Sequence, residues 1–203
     1  SQINRLMKNI IVTGSSSGLG LFLKKKLNAY GYERNGNNKA MPLSNNNVII
    51  HTAFNSSKLV ESKNINEYIN DNILLTKKIL EIPHRKFIYI STVDVYPTDK
   101  MTHKESDNLF LESNRSIYSI SKLITESIVR SSTKSSIILR ASGMLGPDIR
   151  ENSFIKILKN SKKKKKDKLT LNERSKFNYI LQSDILELIK KLIFNNDTGI
   201  YNV

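Results

Sequence analysis

The sequence predicts an α/β protein in which helices cover both faces of a doubly wound, parallel β-sheet. Three observations predict this fold. Short runs of β-branched and apolar residues alternate with longer segments whose apolar residues recur at helical spacing. The centres of the short runs are continuously apolar, which is typical of strands that are buried on both faces. A glycine- and serine-rich turn lies between the first such run and the first helical segment.

The first half of the chain contains two predicted helices and four predicted strands. The helices are Leu19–Tyr30 and Ile65–Ile82, and the second ends because Pro83 cannot continue a helix. The strands are Lys8–Thr13, a stunted Gly31–Arg34, Val48–Thr52 and Lys86–Ser91. The polar residues 35–47 predict a loop between the second and third strands.

The second half continues the same alternation. Predicted helices cover Ile117–Arg130 and Asp184–Phe194, and another begins over Ser153–Leu158. Predicted strands are Ser136–Arg140, short strands within Leu169–Leu181, and Gly199–Val203. Because strands that alternate with helices form a parallel sheet, residues 1–203 are predicted to be a single domain.

Composition excludes several kinds of protein. No apolar run is long enough to span a bilayer, and the N-terminal residues lack the apolar core of a signal peptide, so we expect a cytoplasmic protein without a membrane partner. The chain has no cysteine, which excludes disulfides and thiol catalysis. Its three histidines are scattered along the sequence, so no metal site is expected.

The net charge of +15 raises the question of a nucleic-acid partner. Much of the excess is lysine, in a chain that is also rich in asparagine and isoleucine, and the densest block is the lysine run at 162–166. A run of like charges is usually a solvated loop, and the sequence has no recognised nucleic-acid-binding motif. We therefore expect no nucleic-acid partner, and a salt titration of DNA or RNA binding would test this.

The glycine- and serine-rich turn carries a strong functional signal. It reads TGSSSGLG over residues 13–20. Gly14 permits a tight turn, Gly18 lets the backbone approach a pyrophosphate, and Gly20 lets helix and strand pack closely. We therefore predict a Rossmann-type domain that binds a nicotinamide dinucleotide. The expected contact residues in the turn are Gly14, Ser16, Ser17, Gly18, Leu19 and Gly20.

The residues of the stunted second strand bear on the choice between NAD and NADP. An acidic residue at the strand end hydrogen-bonds the ribose of NAD, whereas an arginine favours the phosphate of NADP. Glu33 and Arg34 are adjacent, and alternation along a strand would direct only one of them to the adenosine. Arg34 lies nearer to the predicted strand end, so NADP is expected to be preferred, with NAD as the alternative.

A tyrosine and a lysine form the second functional signal. Tyr118 and Lys122 are four residues apart on a predicted helix and therefore share one face. A phenol is a poor acid or base at neutral pH unless a nearby cation stabilises its phenolate, and the lysine supplies that cation. Upstream, Ser91 and Thr92 place hydroxyl groups at the carboxyl end of a strand, where open α/β sheets bind ligands.

These features together resemble the extended branch of the short-chain dehydrogenase/reductase superfamily, the NAD-dependent epimerase/dehydratase family of nucleotide-sugar enzymes. The similarity extends along most of the chain. The matching segments are TGSSSGLG at 13–20, VIIHTAF at 48–54, Asn72 to Thr76, YISTVDVY at 89–96, Glu105, YSISK at 118–122, LRASGMLGP at 139–147 and GIYNV at 199–203.

The resemblance implies roles for individual residues. In that family, the residues matching Thr92 and Tyr118 contact the reacting oxygen. The lysine matching Lys122 also holds the nicotinamide ribose. Thr52 and Ala53, in the VIIHTAF segment, are implied to contact the cofactor. We therefore expect Thr92, Tyr118 and Lys122 to be the catalytic residues.

The sequence also departs from the family pattern. The stretch from Arg34 to Val48 is too short for the usual strands and helix, so one β–α unit is expected to be missing. The chain stops at GIYNV, whereas family members continue through a longer substrate lobe. A compact member is therefore expected, in which a truncated lobe is reduced to a partial insertion at 148–181.

The YISTVDVY segment bears on the reaction type. Family 4,6-dehydratases carry two proton-transferring carboxylates after the threonine, and the matching positions here are Val93 and Asp94. Elimination needs proton removal and protonation of the leaving group, so the loss of one carboxylate argues against a dehydratase. Asp94 stays a candidate auxiliary base, and Asn72 is a candidate lining residue by resemblance.

The sequence therefore predicts an NAD(P)-dependent reductase or epimerase that acts on a nucleotide sugar or a similar small carbonyl or alcohol, with Tyr118 as proton donor or acceptor. The alternative is a non-catalytic sensor or regulatory protein that binds the dinucleotide, since fold alone does not determine function. The resemblance also implies a homodimer, because the family helices matching Ile65–Leu80 and Ile117–Arg130 form a dimer interface.

Overall fold

The computed structural model describes residues 9–57, 59–99, 101–110, 116–147, 149, 152–162 and 176–203. Its strands are β1 (Ile10–Thr13), β2 (Tyr30–Gly31), β3 (Val48–His51), β4 (Lys86–Thr92), β5 (Ser136–Ala141), β6 (Gly143–Leu145), β7 (Tyr179–Leu181) and β8 (Gly199–Asn202). Its helices are α1 (Gly18–Leu27), α2 (Ile65–Ile69), α3 (Leu75–Leu80), α4 (Ile117–Ser132), α5 (Ser153–Lys162) and α6 (Gln182–Phe194). A π-helical segment (Asn70–Leu74) joins α2 to α3, and a 3₁₀ turn (Val93–Val95) follows β4.

Six strands form one parallel sheet in the order β2-β1-β3-β4-β5-β8. From β1 the chain first pairs β2 on one side and then returns to pair β3 on the other side. This reversal places helices on both faces of the sheet and leaves a crevice where β1 and β3 end. The predicted doubly wound α/β fold is confirmed.

A separate apolar cluster covers each face of the sheet. On one face α1 and α6 pack against the strands, and Leu23, Ile189 and Ile193 are fully buried there. On the other face α3 and α4 contribute Ile79 and Val129, which are also fully buried. The central strands supply side chains to both clusters, because successive residues of a strand point to opposite faces. Their uninterrupted apolar runs are therefore explained by burial on both sides.

The main difference from the predicted elements is the second strand. It covers Tyr30–Gly31 rather than residues 31–34, so the two share only Gly31. Asn28 adopts a left-handed conformation (φ 48°) that ends α1 and returns the chain to the sheet earlier than helical periodicity suggests. The π-helical segment and β6 were not predicted either. Between β2 and β3, the described residues 32–47 contain no strand or helix, which agrees with the expected missing β–α unit.

A small parallel sheet of β6 and β7 lies apart from the main sheet. β7 and α5 lie within the predicted partial insertion at 148–181, whereas β6 precedes it. Residues 148, 150–151 and 163–175 lie outside the described residues, and with them most of the lysine run at 162–166. The division into one domain with this insertion therefore stays a prediction.

The helices are short relative to a bilayer. The longest in the described part of the chain, α4, has 16 residues, whereas a transmembrane helix needs about 20. Among the described residues, none of the helices combines the length and the apolar character that crossing a membrane requires.

Candidate active site

A cleft of about 950 Å³ lies at the carboxyl edge of the sheet, beside the ends of β1, β3 and β4. The glycine turn, the segments after β2 and β3, and α4 all contribute to its walls. The cleft brings together every residue predicted to contact the cofactor. These residues are Gly14, Ser16, Ser17, Gly18, Leu19, Gly20, Arg34, Thr52, Ala53, Tyr118 and Lys122. Segments that are far apart in sequence therefore meet at one site.

The glycine turn packs closely against the end of β3. Gly14 (φ 65°) and Gly18 (φ 56°) have left-handed backbone conformations, which glycine adopts without steric cost. A Cβ atom on Gly20 would lie only 2.2 Å from the carbonyl oxygen of Gly14 and 2.6 Å from Oγ1 of Thr52. The first turn of α1 therefore fits against the sheet only because this residue has no side chain.

The N-terminus of α1 points into the cleft. The amide of Leu21 donates to the carbonyl of Ser17 at 3.2 Å, and the helical residues before it have no earlier helical carbonyl to bond. In the described part of the chain, Ser17 makes no side-chain capping bond and the first turn contains no acidic residue. The N–H groups of the first turn and the positive end of the helix dipole therefore suit a phosphate group.

A buried hydrogen-bond network fixes the segment after β3. The backbone amides of Thr52 and Ala53 donate to Oγ1 of Thr13 at 3.2 and 3.1 Å. The Thr52 hydroxyl donates to the Thr13 carbonyl at 2.7 Å. Thr13 Oγ1 lies 2.7 Å from Nδ1 of His51, so its own proton is directed to the ring. The two residues predicted to contact the cofactor are thus held at fixed positions beside β1.

His51 is neutral within this network. Its Nε2 lies 2.8 Å from Oγ1 of Thr76, whose hydroxyl donates to the Asn72 carbonyl at 2.6 Å. The Thr76 oxygen is therefore the acceptor, and the imidazole carries its proton on Nε2. Burial, together with the nearby charge of Lys122, lowers the pKa of His51 from 6.5 to about 3. His51 is therefore a structural linker rather than an acid–base group at neutral pH.

Lys122 extends from α4 towards the end of β4 and is only 4% exposed. Its ammonium group donates to the Ile90 carbonyl at 2.8 Å. The same nitrogen lies 4.0 Å from the centre of the Phe54 ring and 5.9 Å from that of Tyr118. The two rings meet edge to face, with centres 5.4 Å apart. The predicted phenol and cation thus share one pocket with an aromatic ring that was not predicted.

Thr92 is placed differently from the other predicted catalytic residues. It is the last residue of β4, and its neighbour Ser91 lines the cleft whereas Thr92 does not. Its Oγ1 accepts a hydrogen bond from the Asp94 amide at 3.2 Å, which begins the 3₁₀ turn. Asp94 is exposed and does not line the cleft either. A hydroxyl that accepts one hydrogen bond can still donate its proton, so Thr92 keeps the chemical capacity predicted for it.

A buried ion pair supports β4 from behind the cleft. The Ser91 hydroxyl donates to Oε1 of Glu126 at 2.5 Å. Arg140 pairs with Glu126 at 2.8 Å, and both side chains are almost fully buried. Burial opposes the charge of Arg140, but the hydrogen bonds to Glu126 and its negative charge raise the pKa of the guanidinium overall. The pair therefore ties β4, α4 and β5 together next to the candidate site.

Glu33 and Arg34 both line the cleft. They lie beyond the end of β2, so strand alternation does not separate them, and which of the two meets the adenosine stays a prediction. Nη1 of Arg34 forms an ion pair with Oδ1 of Asp71, in the π-helical segment. The other carboxylate oxygen of Asp71 accepts from Nδ2 of Asn55 at 3.0 Å.

Sequence reasoning missed Phe54 and Asp71 and gave Asn72 a different role. Phe54 directly follows Ala53, and Asp71 directly precedes Asn72. The sequence signal for each was therefore its place beside a residue that matches the family pattern. Asn72 is 1% exposed, and its side-chain amide bonds the N–H and C=O of Asn55 at 2.6 and 3.1 Å. It therefore anchors the segment after β3 and does not line the cleft.

A family model identifies the relatives of this chain. The model of the NAD dependent epimerase/dehydratase family matches residues 33–203. The chain belongs to this family. The glycine turn precedes the matched residues and lines the same cleft as they do. The predicted resemblance to the NAD-dependent epimerase/dehydratase family is therefore confirmed. No curated protein sequence matches the chain.

Solved structures of epimerase/dehydratase enzymes share the fold. UDP-N-acetylglucosamine 4-epimerase from Methanobrevibacter ruminantium has 19% identity and a TM-score of 0.78, over 97% of this chain and 76% of its own. UDP-glucuronic acid 4-epimerase from Bacillus cereus has 18% identity and a TM-score of 0.77, over 96% and 76%. dTDP-4-dehydrorhamnose reductase from Bacillus anthracis has 22% identity and a TM-score of 0.74, over 97% and 74%.

Proposed function

We propose that this epimerase/dehydratase family member is an NAD(P)-dependent reductase or epimerase that acts on a nucleotide sugar or a similar small carbonyl or alcohol. The observation that carries the proposal is the single cleft in which Tyr118 and Lys122 meet the glycine turn. Family membership supports it, because the family is one of NAD-dependent enzymes. When bound, the cofactor supplies the hydride chemistry, and the protein supplies position and protons.

The residues present fit a dinucleotide. The N-terminus of α1, which Ser17 leaves uncapped, would hold the pyrophosphate. Thr52 and Ala53, whose amides are tied to Thr13, would form the wall beside it. Lys122 would contact the nicotinamide ribose at the far end of the cleft. This order of contacts follows the carboxyl edge of the sheet from β1 towards β4.

Tyr118 would transfer the proton to or from the substrate oxygen. The ammonium group of Lys122, fixed by its bond to the Ile90 carbonyl, would stabilise the phenolate form of Tyr118. Thr92 would donate a hydrogen bond to the substrate oxygen and stabilise negative charge that develops there. Asp94 is exposed on the 3₁₀ turn beyond β4, so it is given no step.

A nucleotide sugar is the proposed substrate class. The solved structure of MoeE5 contains UDP-glucose and NAD, and that of the Bacillus cereus epimerase contains UDP-glucuronic acid and NAD. These share the fold of this chain, which supports a substrate of the same class. Met144 and Ile149 line the cleft from the segment that follows β5, next to the region of the predicted lobe. Keto reduction or 4-epimerisation is favoured over dehydration, because Val93 cannot transfer a proton.

Cofactor titration is the first test. Fluorescence titration with NADH and with NADPH is expected to show saturable binding of at least one of them. Sugar nucleotides with a 4-keto group, and UDP-sugars with a free 4-hydroxyl, should then be screened for reduction or for epimerisation at C4. Failure to bind either cofactor at millimolar concentration would overturn the proposal.

One observation favours a second candidate, a non-catalytic sensor that binds the dinucleotide. The Phe54 ring covers the Lys122 ammonium at 4.0 Å, on the residue that would contact the ribose. The Phe54 ring therefore competes with the nicotinamide ribose for the Lys122 ammonium group, and the proposed catalysis needs the ribose contact. The two candidates differ in turnover: the sensor binds cofactor but converts none of the screened sugar nucleotides, whereas the enzyme consumes or recycles it.

A homodimer is proposed by family resemblance and by exposed apolar residues. Ile65 and Ile69 on α2, Ile117 and Ile124 on α4, and Leu74 between α2 and α3 are at least 36% exposed. The π-helical segment and α3 pack beside α4, so these residues belong to adjacent helices. An isologous contact between two such surfaces would bury them.

A further inference from the structure

An ion pair bounds one end of the cleft. Arg34, in the turn after β2, and Asp71, in the π-helical segment, both line the cleft and contact each other through Nη1 and Oδ1. The Asp71 side chain is 14% exposed and that of Arg34 is 48% exposed. Asp71 also accepts a hydrogen bond from Asn55, so donors from two loops fix its carboxylate in place.

The position of this ion pair affects the choice between NAD and NADP. This inference rests on the proposed function, in which the cleft binds a nicotinamide dinucleotide. In a doubly wound sheet, the adenosine ribose lies beyond the glycine turn, beside the strand that follows the first helix. That strand is β2, which pairs directly with β1. Arg34 follows β2, so the pair lies where NAD carries a 2′-hydroxyl and NADP a 2′-phosphate.

The charges at this end of the cleft are balanced. Among the described residues, the charged side chains that line this end are Lys24 and Arg34 against Glu33 and Asp71, whereas Lys122 lines the opposite end beside Tyr118. A 2′-phosphate carries close to two negative charges at neutral pH, so it is favoured by an excess of positive charge around it. Arg34 is paired with Asp71, whose carboxylate would repel the phosphate. A ribose hydroxyl, in contrast, can donate a hydrogen bond to a carboxylate.

We infer that Asp71 makes the adenosine end of the cleft select NAD over NADP, by pairing with Arg34 and by presenting a carboxylate near the site of the 2′-phosphate. This is the opposite of the preference that Arg34 suggests in the sequence alone. The reason is that Asp71 lies 37 residues from Arg34 along the chain, and only the fold brings the two together.

The test compares NADH and NADPH binding to the wild-type protein and to Asp71→Asn. The wild type is expected to bind NADH at least about tenfold more tightly than NADPH, the ratio that one modest charge interaction produces. Asp71→Asn keeps the shape of the side chain but removes its charge and leaves Arg34 unpaired. NADPH affinity should rise about tenfold in the variant, with NADH affinity within about twofold of the wild type.

Glu67→Gln is the matched control, because this exposed residue of α2 also loses one negative charge but lies outside the cleft lining. It should change neither affinity. Arg34→Gln is a second variant that keeps the inference testable if Asp71→Asn does not fold. Its preference for NADH should persist or increase, because the Asp71 carboxylate then has no arginine to neutralise it.

The outcomes separate the two proposals. Absence of binding of both cofactors overturns the proposed function, and this inference with it. Binding with a wild-type preference for NADPH overturns the inference alone, and so does an NADPH/NADH affinity ratio that is unchanged in Asp71→Asn. A preference for NADPH in Arg34→Gln would show that the Asp71 carboxylate does not oppose the phosphate, and would also contradict the inference.

Discussion

The phenol of Tyr118 is the group on which turnover depends in the proposed mechanism. Tyr118→Phe removes only a hydroxyl group and keeps the ring that meets Phe54 edge to face at 5.4 Å. We expect folding and cofactor affinity to be preserved, while turnover falls by about a hundredfold or more, the usual contribution of a positioned acid–base group. Single-turnover kinetics with the true substrate would measure this.

Tyr179→Phe, in β7 and outside the cleft lining, is the control and should leave turnover unchanged. A Tyr118→Phe variant that works at the wild-type rate would refute the mechanism. Lys122→Met should differ from both, because it removes the cation beside the phenol and the proposed ribose contact. It should therefore lower turnover and cofactor affinity together.

His51 gives the protein a pH-dependent stability. Its pKa is about 3 in the folded protein against 6.5 in the unfolded chain, so between these values the unfolded chain binds more protons. The stabilising contribution is complete above pH 6.5 and is lost as the pH falls towards 3, at up to about 1.4 kcal/mol per pH unit. Urea unfolding of the wild type and of His51→Gln at pH 7, 6 and 5 would measure it.

The His51→Gln variant should be less stable at pH 7, because it loses the bonds to Thr13 and Thr76. Its stability should nevertheless depend less on pH than that of the wild type over this range. Equal slopes for the two proteins would show that His51 already accepts a proton in the folded state.

At the residue scale, the sequence predicts what local spacing encodes. The glycine turn, Tyr118 and Lys122 are recognisable because each lies within a short motif. Phe54 and Asp71 are not, because their importance depends on contacts with residues that are distant along the chain. Thr92 is an intermediate case. The sequence predicts its position at the end of β4, but neighbouring residues of a strand face opposite sides of the sheet. The sequence alone therefore does not decide whether Ser91 or Thr92 lines the cleft.

Among the secondary-structure elements, α1 and its turn carry the sharpest prediction. Gly20 lies in a helix, where alanine is normally more favourable than glycine by up to about 1 kcal/mol. Here Gly20→Ala should be destabilising by about 1–3 kcal/mol, because the added Cβ would lie 2.2 Å from the Gly14 carbonyl oxygen. Cofactor binding should weaken as well, since the turn must shift. Chemical unfolding and NADH titration would measure the two effects.

Gly199→Ala is the comparison for this substitution. Gly199 has a left-handed φ of 108° but no atom within 4 Å of its added Cβ, so any cost there is backbone strain alone. It should lower stability without affecting cofactor binding. If Gly20→Ala proved as stable as the wild type, the close packing of α1 on the sheet would be wrong.

At the element scale, hydrophobic periodicity predicts the buried strands and the amphipathic helices well, because burial produces the pattern directly. Hydrophobic periodicity does not predict where a helix ends or changes its hydrogen-bonding pattern, because backbone conformation determines these features. The left-handed Asn28 shifts β2 towards the N-terminus, and the π-helical segment interrupts a helix whose periodicity looks continuous. Neither feature changes the apolar pattern, so neither can be found from it.

For the whole molecule, the proposed homodimer can be tested directly. Light scattering at micromolar concentration is expected to give the mass of two chains. Ile124→Arg, at a position that is 39% exposed on α4, should shift the protein towards the monomer. Phe194→Arg, in α6 and 46% exposed, is the matched control and should stay dimeric. A wild-type mass of one chain would contradict the proposal.

β2 forms one edge of the main sheet and has only two residues. Asn38 folds the following loop beside it, through side-chain bonds to the Tyr30 hydroxyl and to the backbone of Glu33. Long, flat edge strands recruit strands of other chains and promote aggregation, whereas very short ones offer few backbone groups to pair. The sheet therefore ends at β2 without an edge strand long enough to pair with another chain. We expect fibril formation through this edge to be disfavoured.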